Sequence, residues 1–210
     1  MNKIFISGSI RIKNIDKKVE KRIDNIINSN FPILLGDANG VDTSVQKFIK
    51  SKAYKNVIIY CSGEHVRNNI GRWKVKKIHT GHYKKTRLFY TAKDIQMAKE
   101  CDYGLMVWDT TSTGTLNNVY ELLRQGKKSL VFLNNMKEFI LVSNVDEFQK
   151  LLSFMEKSSF EKADKKVQLK QKIQGLKCIH KNITVSNQTF QRDQLFNDNV
   201  YQQTKLKSMP

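Results

Sequence analysis

Along the chain, apolar residues arrive in short unbroken runs separated by stretches in which they recur every three or four positions among charges. The runs are "KIFISG" (3–8), "FPILLGDA" (31–38), "NVIIYCSG" (56–63), "YGLMVWD" (103–109) and "SLVFLNN" (129–135). Their brevity and β-branched content predict strands buried on both faces. Between them Ile15, Val19, Ile23, Ile26 and Ile27 mark one helical face that ends before Pro32, and Val41, Val45, Phe48 and Ile49 mark a second. "TAKDIQMAKECD" predicts a short third helix with Thr91 as its N-cap, and "GTLNNVYELLRQGKK" a fourth that stops at Gly126. Alternation of this kind predicts a doubly wound α/β domain: a mainly parallel, Rossmann-like sheet of about five strands with helices on both faces. "KEFILVSN" is a candidate edge strand, and "VDEFQKLLSFME" a closing helix on Val145, Phe148, Leu151, Leu152 and Met155.

Beyond residue 156 the pattern weakens. "EKSSFEKADKKVQLKQKIQGLK" reads as a weak basic helix at best, and the Gln/Asn-rich stretch from Asn182 to Pro210 shows no period. The division expected is a nucleotide-binding domain over 1–156 and a basic polar tail over 157–210, partly helical or disordered. A chain of 210 residues suits a single core with an appendage. No window approaches the ~20 apolar residues of a membrane span, and the N-terminal run lacks a small-residue cleavage site, so a cytoplasmic protein is expected. Cys61, Cys101 and Cys178 are odd in number and far apart, which disfavours a disulfide framework, and His65, His79 and His82 have no ligand spacing with them. No metal and no cofactor are expected. The formal charge is +18, and residues 157–210 hold 11 Lys and Arg against 4 Asp and Glu, so the excess is spread along the whole chain. A lysine-rich surface without interleaved aromatics is more often solvated than bound to nucleic acid.

In doubly wound folds ligands bind beyond the carboxyl ends of the strands, where helix N-termini offer free N–H groups and positive potential. Three strand ends carry suitable residues. After the first, Ser7, Gly8 and Ser9 permit close backbone approach and Arg11 can pair with a phosphate, although a plain turn has the same composition. After the second, Gly36, Ala38, Asn39 and Gly40 free the backbone amides to face an anion; Asp37 is placed to hold a ribose hydroxyl, and Asp42 either shares the site or caps the helix. Neither the P-loop nor the dinucleotide glycine fingerprint fits this spacing. After the fourth, Asp109 is followed by a run of hydroxyls, with Ser112, Gly114 and Thr115 at the helix start.

In this order and spacing, "ISGSIR", "LLGDANGVD" and "DTTSTGTLNNVYELLRQGKKSLVFL" resemble the superfamily that joins the Smf/DprA DNA-processing proteins with the Lonely Guy phosphoribohydrolases, called SLOG, over residues 3 to 135. The resemblance implies a Rossmann-like fold that binds nucleotides or nucleotide-derived signals. The phosphoribohydrolases carry a glutamate in the final loop, and the related nucleoside deoxyribosyltransferases a nucleophile early in the last helix; both align with Asn118. An amide hydrogen-bonds a ribose or base but does not act as a nucleophile or general base as a carboxylate does. Glu121 beside Arg124 reads as a surface ion pair, and Asp94 as a helix-dipole residue.

The connection from Gly63 to Asp94 is long for a structureless loop, and loops of that length usually carry function. Arg67, Asn68, Asn69, Arg72 and Trp73 form a polar-aromatic cluster suited to phosphates and a base, with Arg87 and Lys93 as further cations; a solvated basic loop is the competing reading. The expected function is recognition of a nucleotide-like small molecule in a sensory or regulatory role. Two alternatives stay open: N-glycosidic cleavage or ribosyl transfer on a nucleotide with Asp109 or Asp37 as acid/base or nucleophile, and DprA-like binding of single-stranded DNA through the basic surface. A homo-oligomer without membrane association is expected.

Overall fold

The structure, a computed structural model, describes residues 2–81 and 86–183, with side chains described as far as Cys178. His82 and the polar stretch from residue 184 onward, expected to be partly disordered, lie outside the described residues. The five apolar runs form strands β1 (Ile4–Gly8), β2 (Ile33–Gly36), β3 (Val57–Ser62), β5 (Tyr103–Trp108) and β6 (Ser129–Leu133). Two more, β4 (Lys74–Ile78) and β7 (Glu138–Val142), complete a seven-stranded sheet where about five strands were expected. The order is β4-β3-β2-β1-β5-β6-β7. All neighbours are parallel except β7, which folds back antiparallel on β6 with Leu130 opposite Leu141.

"KVKKI" of β4 has no apolar run because it is an edge strand, with its lysines exposed and Lys77 beside Cys61 of β3. Backbone pairing makes it a strand, with Val75 and Ile78 packed partly buried against the two cores, and its lysines discourage a further strand from joining that edge. Since the connection contains β4, it is not the structureless loop that was expected.

Alternate residues of each central strand point to opposite faces, as the pleat requires. Ile4 and Ile6 of β1, Ile33 and Leu35 of β2, and Leu105 and Val107 of β5 pack against helices α1 (Lys17–Asn28) and α2 (Val41–Ser51). Phe5, Leu34, Met106 and Trp108 face the other way, onto α3 (Arg87–Glu100), α4 (Thr113–Arg124) and α5 (Val145–Leu152). The helix expected from Thr91 begins a turn earlier, at the Thr86 cap, whose side chain accepts the Phe89 N–H. That first turn, "RLFY", has no apolar face for a periodic pattern to reveal, and Leu88 is exposed.

Residues 157–183, expected to be at best a weak helix, form two: α6 (Lys157–Val167) and α7 (Leu169–Ile183), joined at Gln168 in the left-handed region with φ 55°. Ala163, Val167, Leu169 and Leu176 are buried and join the same core cluster as α4 and α5. Each fully buried leucine contributes about 1.5–3 kcal/mol, enough to hold helices whose exposed faces are almost wholly charged. No helix among the described residues is long and apolar enough to cross a membrane.

Candidate functional site

The chain reverses its direction of winding at β1: Ile6 pairs with Leu35 of β2 on one side and Leu105 of β5 on the other. A crevice opens where the connections from β1 and β5 leave the sheet in opposite directions, which is where doubly wound folds bind ligands. A cavity of about 910 Å³ occupies this place, within the range of roughly 300–1,000 Å³ typical of small-molecule sites.

The three strand ends singled out in the sequence meet there. Ser7, Gly8, Ser9 and Arg11 line it from β1, Ala38 and Asp42 from the β2 connection, and Ser112, Gly114, Thr115 and Asn118 from the start of α4. Arg67 reaches it from the long connection. Gly36, Asp37, Asn39, Gly40 and Asn68 are not in its wall, nor is Asp109. They build the wall instead. Gly40, at φ 79° and ψ −126°, brings the α2 N-terminus so close to the β1 loop that a Cβ would stand 2.4 Å from the backbone of Ile10. Asn68 donates to the Asp37 carbonyl at 2.8 Å and to Asn39 at 3.1 Å, tying the long connection to the β2 loop.

The two candidate catalytic carboxylates, Asp37 and Asp109, are each turned onto their own partners. Asp37, 1% exposed, receives the Arg67 guanidinium at 2.6 and 3.1 Å and the Arg67 N–H at 3.1 Å. Burial pushes its carboxyl up, but the Arg67 hydrogen bonds and the Lys93 charge bring it below its ordinary value. Arg67, held at one end by Asp37, lies 4.8 Å over the ring of Tyr90, a further residue of the cavity wall. Asp109 accepts the Ser9 hydroxyl at 2.7 Å, the Arg11 guanidinium at 3.0 Å, and the Thr111 and Ser112 amides at 3.1 and 2.7 Å. Burial raises its carboxyl, and these donors more than offset the rise. Asp109 thus fastens the β1 loop to the β5 loop, and its acceptor positions are used by the protein itself. The Trp108 indole adds an N–H to the Ser112 carbonyl at 3.1 Å.

Asn118 is buried, in the cavity wall, and donates to the Ser7 hydroxyl at 3.2 Å. Glu121 pairs with Arg124 at 2.9 Å, as expected for a surface pair. Asn69 and Trp73 lie outside the cavity wall: Asn69 bonds both the N–H and C=O of Trp73, and the Trp73 ring packs into the core with its indole N–H on the Tyr54 carbonyl at 2.9 Å. Arg72 likewise lies outside the cavity wall.

A buried charge cluster went unrecognised in the sequence. Asp42 and Lys93 are 3% and 4% exposed, and a Cβ at Gly36 would meet Asp42 Oδ2 at 2.3 Å and Lys93 Nζ at 2.5 Å. Only glycine lets these two side chains approach over β2. Lys93 also pairs with Asp94 at 2.6 Å, so Asp94 neutralises a buried cation rather than serving a helix dipole. Burial pushes the Asp42 carboxyl up to about 6 against the opposing pull of Lys93. Lys93 itself stays above its ordinary value because Asp94 and Asp42 outweigh its burial. The cluster is not legible in the sequence because Asp42 and Lys93 come from different helices, 51 positions apart. Also unforeseen were Tyr90 and Thr91 of α3 and Ser159, Lys162 and Lys166 of α6, all in the cavity wall. Ser159, Lys162 and Lys166 follow helical spacing, which was the available signal. Cys61 and Cys101 are buried and Cys178 is exposed.

The chain matches no family model and no curated protein.

Proposed function

We propose that the chain binds a nucleotide or nucleotide-derived ligand in this cavity, in a sensory or regulatory role. The observation that carries the reading is the convergence of all three strand-end loops, Arg67 stacked on Tyr90, and the first turn of α4 on one cavity at the winding reversal. In that turn the N–H groups of Thr113, Gly114 and Thr115 have no acceptor within the helix and suit a phosphate. Tyr90 offers an aromatic face to a base, and Asn118 and Ser7 offer donors and acceptors to a ribose. Isothermal titration of the full chain with nucleosides and nucleotides of the four bases tests this. Saturable binding that is weakened in Arg11→Ala and Asn118→Leu is expected, and no heat from any of them would sink the reading.

A second reading, cleavage of an N-glycosidic bond, is favoured by one observation: of the two carboxyls in the cavity wall, Asp42 and Asp94, that of Asp42 is pushed up by burial to about 6. It would protonate the departing base while water adds to the anomeric carbon. Release of free base that vanishes in Asp42→Asn while binding persists would support this reading; binding without release would remove it.

A further inference from the structure

The cations of the cavity wall differ in how their charges are compensated. Three have a carboxylate: Arg11 pairs with Asp109, Arg67 with Asp37 and Lys93 with Asp94. The others are Arg87, which opens α3, and Lys162 and Lys166, which stand four apart on α6 with Ser159 three before Lys162 on the same stripe. Among the described residues none of these three cations has an ion-pair partner. Arg87 donates to the Lys166 carbonyl at 2.8 Å, which leaves its charge uncompensated, and burial holds its guanidinium below its ordinary value.

A fourth cation adds to the strain. Lys172 of α7 donates to Asn117 Oδ1 and lies 4.5 Å over the Tyr120 ring. Its ammonium is held below its ordinary value by burial and by repulsion from Arg87, against the pull of Glu121. Like charges four apart on a helix repel each other, and a half-buried guanidinium facing only carbonyls has lost water without gaining a counter-charge. Such an arrangement persists at least cost when an anion completes it. The other α6 lysines, Lys157 and Lys165, are outside the cavity wall, so the stripe is specific to the cavity.

We propose that Arg87, Lys162 and Lys166 form a second anion subsite, and that the ligand is a nucleotide carrying at least two phosphate groups. One phosphate meets the first turn of α4, and another meets this cation cluster. The inference rests on the nucleotide reading above for the remainder of the ligand, but the subsite itself requires only a compact polyanion.

The test is titration calorimetry of the full chain at fixed ionic strength with the nucleoside mono-, di- and triphosphates of the four bases and with inorganic pyrophosphate. The proteins are wild type, the K162A/K166A variant, and K157A/K165A, which removes the same charge from the same helix away from the cavity. All four lysines are exposed, and thermal melts verify that both variants fold. In the base series that binds, the diphosphate should bind about tenfold or more tighter than the monophosphate, the worth of one charge-assisted contact. That ratio should collapse toward one in K162A/K166A and persist in K157A/K165A. A ratio near one in wild type, a ratio that survives in K162A/K166A, or an equal fall in both variants would overturn the subsite. Pyrophosphate binding lost only in K162A/K166A, with no nucleotide bound, would uphold the subsite and overturn the nucleotide reading. No binding of any probe would overturn both.

Discussion

Asp42 offers the sharpest test of the buried cluster. Its carboxyl titrates near 6 in the folded chain against an ordinary value of 3.8, because burial removes water from the anion faster than Lys93 restores the balance. A folded-state value raised above the unfolded one means that the favourable contribution of Asp42 is full below pH 3.8 and is lost as pH rises through 6. At 1.36 kcal/mol per pKa unit, the ionised carboxylate costs the native state about 3 kcal/mol at pH 7.5. Asp42→Asn keeps an acceptor for the Ala38 N–H, which the carboxylate now receives at 3.1 Å. It leaves Lys93 paired with Asp94. The variant therefore resembles the protonated wild type at every pH. In urea unfolding the variant should gain on wild type by about 1 kcal/mol between pH 5 and pH 7.5 as Asp42 completes its ionisation. A gap that stays constant over that interval, or narrows with rising pH, would show that the carboxyl is not desolvated as its position requires.

Gly40→Ala should lower stability by at least about 2 kcal/mol in chemical unfolding, since φ 79° with ψ −126° is a backbone region kept for glycine and the new Cβ would stand 2.4 Å from the backbone of Ile10; an alanine variant as stable as wild type would refute the close approach of the two loops. Leu176→Ala, at a fully buried position of α7, should cost about 2–5 kcal/mol in the same assay. An unchanged unfolding midpoint there would mean that α7 does not belong to the core.

The five buried strands were legible because runs such as "KIFISG" and "YGLMVW" have few alternatives to the centre of a parallel sheet. β4 was illegible because a lysine-rich edge strand carries no burial pattern, only a free backbone edge to pair with. α6 and α7 were legible only as one weak helix for a related reason: their apolar stripes, such as Ala163 with Val167, are narrow, and they are helices mainly because α4 and α5 offer a surface to cover. At the site, the glycine and hydroxyl loops announced themselves, and Asn118 and Arg67 are in the cavity wall. Asp37 and Asp109 did not, because nothing local shows that Arg67 and Arg11, 30 and 98 positions away, will take up their oxygens.

The sequence by itself determined the fold class, the alternation of strand and helix, and the three loops that end at one edge of the sheet. Those are properties of periodicity and of residues such as Gly40 that only certain backbone conformations need, and both are written within a few positions of one another. Tertiary structure alone decided that Asp42 and Asp94 line the cavity, which carboxylates are spent on arginines, and that α6 brings uncompensated lysines over the site. Burial and charge pairing are set by side chains that meet across tens of residues, and their energies exist only once the chain has brought them together.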